Sequence, residues 1–379
     1  MHQHEPVGGK LLTPTFLVAL ALAAVGAFFI AERFTGGLGA VANINDAYPW
    51  GIWVTIDVVV GTAFGCAGYA IALVVYILNK GEYHPLVRPA LLASLFGYGL
   101  AGLAVLIDLG RYWHFYHMFM PWLANTNSVM LEVGLCVAAY TGVLFVEFLP
   151  AFLEKFGLRC ARKTLNKALF IFIAAGVLLP TMHQSSLGSM LVILGQKVSP
   201  LWQTQFLPVL FLASALLMGF AFVIVESILA SLAFNRPLET PILGKLTGLM
   251  SVLLAGFVAL RVLDLVFRGA FGHAFAGDLR ATMFWIELAL HVLPLVLMLP
   301  AGSRRSPRTL FAAAGLLLAG GILYRINAYL VGYEPVSIGW HYFPSVKEIL
   351  VTVGIFSFEV VLYHLFVKRL PVLPKPEHA

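Results

Sequence analysis

Ten apolar runs, each long enough to cross a bilayer and joined by short connections, constrain this chain more than any single motif. A helix needs about 20 apolar residues to span the hydrocarbon. The runs lie at 15–31, 51–78, 90–107, 128–149, 168–194, 206–233, 244–267, 282–300, 309–331 and 347–369. They leave no stretch for a water-soluble domain, so residues 1–379 read as one integral membrane domain, an all-α polytopic protein of about ten transmembrane helices. Composition agrees. The chain is 60% hydrophobic and only 11% charged, whereas soluble proteins carry roughly 25% charge. The first run is not read as a signal peptide. Only Lys10 precedes it as a basic residue, and Glu32-Arg33-Phe34 stands where a small-residue cleavage site belongs.

The net charge of +6 is a topology signal, because the cations sit between apolar runs and form no basic domain. No nucleic-acid partner is expected. Lys10, Lys80, Arg88, the group from Lys155 to Lys167, Arg236, Lys245, Arg304, Arg305, Arg308, Lys368, Arg369 and Lys375 fall on one side of the alternating spans. Only Arg33, Arg111, Lys197, Arg268, Arg280 and Lys347 fall on the other. Lys and Arg are retained on the cytoplasmic side, so both termini are expected there. The longest connections, 40–50 and 108–127, hold no nucleotide-binding domain, and no P-loop or dinucleotide fingerprint occurs. ATP-driven transport within this chain is not expected.

Redox motifs are missing as well. Cys66, Cys136 and Cys160 form no CxxC or CxxCH, so no iron–sulfur cluster or c-type haem can be built on them. A di-haem b cytochrome needs histidine pairs at matched depth. His183, His291 and His364 fall at outer, middle and inner depths, and the expectation is a chain without haem or bound metal.

Ionisable residues inside spans cost at least ~2.5–3.5 kcal/mol on insertion scales, and are functional candidates by default. Here they sort by depth. Asp57, Asp108, Glu132, His183, Arg261, Asp264, Glu287 and Arg325 lie toward the outer side, and Glu147, Glu226, Glu359 and His364 toward the inner. That pattern suits a chemical site near the outer face with proton relays leading inward.

The sharpest local feature is Leu179-Pro180-Thr181-Met182-His183-Gln184-Ser185-Ser186-Leu187-Gly188. Pro180 should kink or break its span, and broken helices at membrane depth line cavities. An imidazole there can bond a quinone carbonyl and pass a proton near neutral pH. Asp108 and Arg111 are placed to pair at a span end, and Arg261 and Asp264 repeat that spacing. Tyr98 stands in the glycine run Gly97, Gly99, Gly102, where a phenol could meet a ligand. Trp50, Trp53, Trp113, Trp122 and Trp202 read mostly as an interfacial aromatic belt.

Several stretches together resemble one family. They are Tyr48-Pro49-Trp50-Gly51-Ile52-Trp53, the run from His84 to Ser94, Asp108-Leu109-Gly110-Arg111, Leu179 through Gly188, and the tail from Leu370 to Pro374. The chain is similar to the NrfD/PsrC family of quinone-interacting membrane subunits, and within it to the hydrogenase-2 type branch. The resemblance implies four-helix bundles and a quinone, menaquinone ahead of ubiquinone, bound near the periplasmic face of the bacterial inner membrane. It implies no haem or metal in this subunit. It also implies electrons from a periplasmic four-cluster ferredoxin-like iron–sulfur subunit, fed by the small and large subunits of a NiFe hydrogenase, and no activity for this chain alone. The resemblance carries His183 as a quinone-site residue, with Gln184 and Ser185 beside it. Tyr98 and Glu132 follow as members of the site or its proton path, and Glu226 as a path residue. With the outer cluster, this makes His183, Tyr98, Glu132, Asp57, Asp108 and Arg111 the expected quinone site. Glu132, Glu147, Glu226, Arg261 and Asp264 make the expected proton path. A b-type cytochrome subunit and a secondary transporter are the competing readings.

Overall fold

The computed structural model describes residues 4–300, 302–335 and 341–374. Lys375, counted above among the cytoplasmic cations, lies outside them. Ten helices among the described residues are long and apolar enough to cross a membrane. They are α1 (Pro14–Gly36), α2 (Trp53–Ile77), α3 (Gly81–Asp108), α4 (Val129–Lys155), α5 (Arg159–Lys197), α6 (Leu207–Ala233), α7 (Thr240–Phe267), α8 (Leu279–Met298), α9 (Pro307–Val331) and α10 (Val346–Arg369). Local chemistry sets their starts. Thr13, Ser128, Asp278, Ser306 and Ser345 each accept a hydrogen bond from a backbone N–H in the first turn of α1, α4, α8, α9 and α10 respectively. Each satisfies a donor that the helix itself cannot.

Regularity fails where the sequence gives little warning. The expected break in α5 does not occur, since residues 159–194 are helical without interruption across Pro180. Past the proline, Ser185 Oγ donates to the carbonyls of Thr181 (2.9 Å) and Met182 (2.7 Å), and Ser189 Oγ to that of Ser185 (3.1 Å), so these hydroxyls bond back onto their own helix. The irregular helices are α2 and α9. α2 is π-helical over Trp53–Val60 and Leu73–Ile77, and α9 over Asn327–Val331. Such widened turns gather at functional sites.

The chain forms two compact units. Among the described residues, the first comprises 4–65, 91–179, 335 and 341–374. In it α1 packs along α10 at a glycine crossing, where a Cβ on Gly26 would come within 2.6 Å of the Gly354 Cα. Close approach of small residues is how membrane helices gain dispersion contact. The two ends of the chain meet beside this pair. Strand β1 (His4–Glu5) runs antiparallel to β2 (Leu373–Pro374), which puts both termini on one side, as an even number of crossings requires. The second unit comprises the described residues of 66–90 and 180–334. Its core is a four-helix bundle in which α6 meets α7, α7 meets α8, α8 meets α9 and α9 meets α6.

Candidate functional site

The second unit buries His183, Gln184 and Arg325, each 0% exposed. Arg325 comes from the end of the α-helical part of α9, and its Nη2 donates to Gln184 Oε1, the Phe211 carbonyl and Ser214 Oγ, each at 3.0 Å. A guanidinium can only donate, so the oxygen of Gln184 faces Arg325 and its amide nitrogen faces the other way. That nitrogen lies 3.0 Å from His183 Nε2. It donates, Nε2 accepts, and the proton of the neutral imidazole sits on Nδ1. Arg325 thus fixes Gln184, and Gln184 fixes the histidine tautomer. Tyr329 donates to the Leu187 carbonyl at 2.9 Å and ties the π-helical end of α9 to the segment carrying His183. Behind Thr181, the Tyr69 hydroxyl shares a 2.7 Å bond with the threonine Oγ1.

The same bundle holds a second polar hub. Glu287 accepts from Trp202 Nε1 at 2.8 Å and Asn327 Nδ2 at 2.9 Å, and faces Arg261 Nη2 at 3.4 Å. The expected Arg261–Asp264 pair is not formed. Arg261 crosses to Glu287 on α8, and Asp264 turns to Arg268 Nε at 2.8 Å and Thr204 Oγ1 at 2.9 Å. The cross-helix carboxylate offers Arg261 a partner buried as deeply as itself. Trp202, read as a belt residue, is fully buried as a donor to this hub, and Trp53 and Trp50 are buried too. Of that group Trp113 and Trp122 are exposed.

The first unit holds the other expected residues. Asp57, in the π-helical start of α2, accepts from Thr352 Oγ1 at 3.0 Å. Tyr98 is fully buried, edge-on to Tyr140 with centroids 4.6 Å apart, in space left by Gly65. Asp108 and Arg111 make no ion pair. Arg111 is exposed, and the α3 end is capped by Arg33, which donates to the carbonyls of Ile107 and Leu109. A cation placed there complements the helix dipole. Glu132 and Glu147 are half-buried on α4, and the Glu147 carboxylate lies against Gly176. Glu226 and Ser185 are half-buried in the second unit. The expected site residues are therefore divided, with His183, Gln184, Ser185, Glu226, Arg261 and Asp264 in one unit and Asp57, Tyr98, Asp108, Arg111, Glu132 and Glu147 in the other.

Glu348 was missed by sequence reasoning. It is 1% exposed, and accepts from the Asn43 N–H (2.9 Å), the Ser345 N–H (2.6 Å) and the Tyr342 hydroxyl (2.8 Å). Burial, and then the Glu348 carboxylate beside it, push the Tyr342 phenol above the usual tyrosine range. The available signal was Ser345-x-x-Glu348 ahead of an apolar run, a capping box.

These features define a polytopic helical membrane subunit with polar networks buried in its bundles. The chain belongs to the family described as Polysulphide reductase, NrfD, which matches residues 40–334. It is 43% identical over 98% of its length, and 96% of the relative's, to the probable Ni/Fe-hydrogenase 2 b-type cytochrome subunit of Escherichia coli. It is also 26% identical, over 89% of this chain and 86% of the relative, to the menaquinone reductase integral membrane subunit of Nitratidesulfovibrio vulgaris. The family's members here are membrane subunits of multi-subunit oxidoreductases, and the chain is a membrane redox subunit of that kind.

One expectation is corrected by this comparison. A chain without haem was anticipated, and the E. coli relative is named a b-type cytochrome subunit. Among the described residues the buried imidazoles are His183 and His291. His291 Nδ1 bonds the Glu287 carbonyl at 2.8 Å, the orientation that metal-ligating histidines use. However, its ring is stacked by Phe257 at 5.0 Å and backed by Gly320, and His183 Nε2 is taken by Gln184. As packed, these side chains do not fit a haem.

Proposed function

We propose that this chain is the quinone-reducing membrane subunit of a NiFe hydrogenase complex in a bacterial inner membrane. Electrons come from a ferredoxin-like iron–sulfur partner on the periplasmic side, and a quinone of the menaquinone or ubiquinone type takes up two electrons and two protons. The names of the E. coli and N. vulgaris relatives support the hydrogenase and quinone halves of this reading. The lysine and arginine bias, with both chain ends on one side, supports cytoplasmic termini.

The observation that carries the reading is the buried Arg325–Gln184–His183 relay. A neutral imidazole with a fixed tautomer can donate to a quinone oxygen and deliver a proton as negative charge develops there. The Arg325 guanidinium supplies a preorganised positive field in a medium where it is weakly screened. Ser185 stands on the same turn. Asp57, Tyr98, Asp108 and Arg111 are the reading's further candidates near the quinone. Glu132, Glu147, Glu226, Arg261 and Asp264 are its proton-path candidates.

The test is His183→Ala, with His183→Gln as the better-packed partner variant. Both should abolish hydrogen-dependent quinone reduction while dye-linked hydrogenase activity persists. Unchanged quinone reduction would remove His183 from the site. A second reading, a haem-carrying cytochrome subunit, is favoured by the name of the E. coli relative. A reduced-minus-oxidised visible spectrum of the purified complex decides it, through Soret and α bands at stoichiometric amounts.

A further inference from the structure

In the second unit a cavity of about 540 Å³ lies among the ends of the spans and their connections, with Leu201, Gln203, Arg268, His273, Arg280 and Glu334 in its wall. A polar stripe leads from this wall into the bundle. Arg268 holds Asp264 at 2.8 Å. Arg261 follows on the same face of α7, since residues three and four apart share a helix face. It donates to the carbonyl of the wall residue Leu201 at 2.6 Å and meets Glu287 at 3.4 Å. One turn further along α8, His291 Nδ1 bonds the Glu287 carbonyl. At 1.5 Å per residue, His291 lies about 16 Å along α8 from the wall residue Arg280, past the middle of that helix. The stripe ends at His291, whose ring packs against Phe257 and Gly320.

Four atoms along the stripe are buried and bond no protein group among the described residues. They are Gln203 Oε1, Arg261 Nε, Asn327 Oδ1 and the Tyr324 hydroxyl. Buried polar groups are nearly always satisfied, by ordered water where protein is lacking. Arg261 and Asn327 both flank Glu287, and Arg261 lies 5.5 Å from the Tyr324 ring. Stability alone does not account for the arrangement, because replacing a buried ion pair with apolar groups is often neutral or stabilising.

We propose that Glu287 and His291 form a proton-loading site inside the span, exchanging protons with the cavity face along a hydrated stripe of Arg268, Asp264 and Arg261. The transfer makes and breaks only O–H and N–H bonds: a proton that reaches the pair from the opposite side, past Phe257, leaves along the stripe to the cavity face, and that passage is the charge movement the potential reads. The charged groups facing His291 are Glu287 on its own helix and Arg261 from α7, and Phe257 and Gly320 lie against its ring. Glu287 and His291 do not touch quinone. The inference rests on the quinone reading only for the electron flow that drives loading and release.

The test uses the whole hydrogenase complex in liposomes, with hydrogen as donor, a short-chain quinone as acceptor, and a potential-sensitive dye. His291→Phe keeps a ring against Phe257, and Glu287→Gln keeps the side-chain shape. Both variants should sustain quinone reduction and lose the membrane potential built per quinone reduced. An unaltered potential in both variants overturns the proposal. So does loss of quinone reduction in both, which would place the pair in the redox site. Failure of the unaltered complex to reduce quinone overturns the quinone reading instead. The Glu287–His291 site is then judged by infrared difference spectra across a pH step. A carboxyl band lost in Glu287→Gln supports it, and no such band overturns it.

Discussion

Gly188→Ala is the substitution that most directly tests how His183 is held. A Cβ at residue 188 would meet the Leu207 carbonyl oxygen at 2.3 Å and its carbon at 2.5 Å. Both are backbone atoms at the start of α6, so no side chain can swing aside. Real Cβ contacts stay above 3.0 Å, and the α5–α6 contact must open by roughly 0.7 Å, an overpacking that costs about 1–3 kcal/mol. His183 sits five residues away on the same helix, and a misplacement of about 1 Å can cost roughly 100-fold in rate. Hydrogen-dependent quinone reduction should therefore fall by about 10–100-fold, with dye-linked hydrogenase activity retained and the unfolding midpoint lowered. Gly256→Ala is the control. Nothing lies within 4 Å of its added methyl, and helix propensity favours it by about 0.5–1 kcal/mol. If Gly188→Ala matched the unaltered protein in both assays, the argument that α5–α6 contact positions His183 would fail.

Arg325→Met removes three buried bonds worth about 0.6–1.7 kcal/mol apiece in membrane proteins, so denaturant titration should show a loss of about 2–5 kcal/mol, with Arg325→Lys in between. Glu348→Ala strands three donors and should cost about 2–4 kcal/mol. Glu334→Ala, which breaks the exposed pair with Arg280, should cost under about 1 kcal/mol in the same titration. Tyr342 is held above the usual tyrosine range by burial and by Glu348, so the folded state keeps its proton longer than the unfolded chain. Its contribution is full below the unfolded value of about 10 and is lost as pH rises through the folded one. Tyr342→Phe should flatten the alkaline decline of the melting temperature, and an unchanged decline would remove Tyr342 as its source.

The crossings were legible because hydropathy sums over about 20 residues, and single errors average out. That His183 lies buried inside a span was legible for a local reason, a histidine three residues after a proline within an apolar run. The partners were not. Arg261 and Asp264 have the spacing of a pair, yet Arg261 takes Glu287, 26 residues along the chain. Arg33 read as one loop cation among several, although its bonds run to carbonyls more than 70 residues away. Spacing reports neighbours on one helix and is silent on which carbonyl a second helix presents. The π-helical turns of α2 escaped for a similar reason. The run Val58-Val59-Val60-Gly61 is equally apolar in either winding, and packing chooses between them.

The glycine contact between α1 and α10 has a consequence for biogenesis. Gly26 leaves the ribosome about 330 residues before Gly354, a delay of roughly 15–65 s at ordinary synthesis rates of about 5–20 residues per second. For that interval the first helix stands in lipid with its docking groove uncovered. The pairing of β1 with β2 follows only after the final helix has inserted. The glycine face of the N-terminal helix is thus covered only at the end of synthesis, and a chain truncated before α10 leaves α1 its Arg33 bonds to the end of α3 but not its glycine partner.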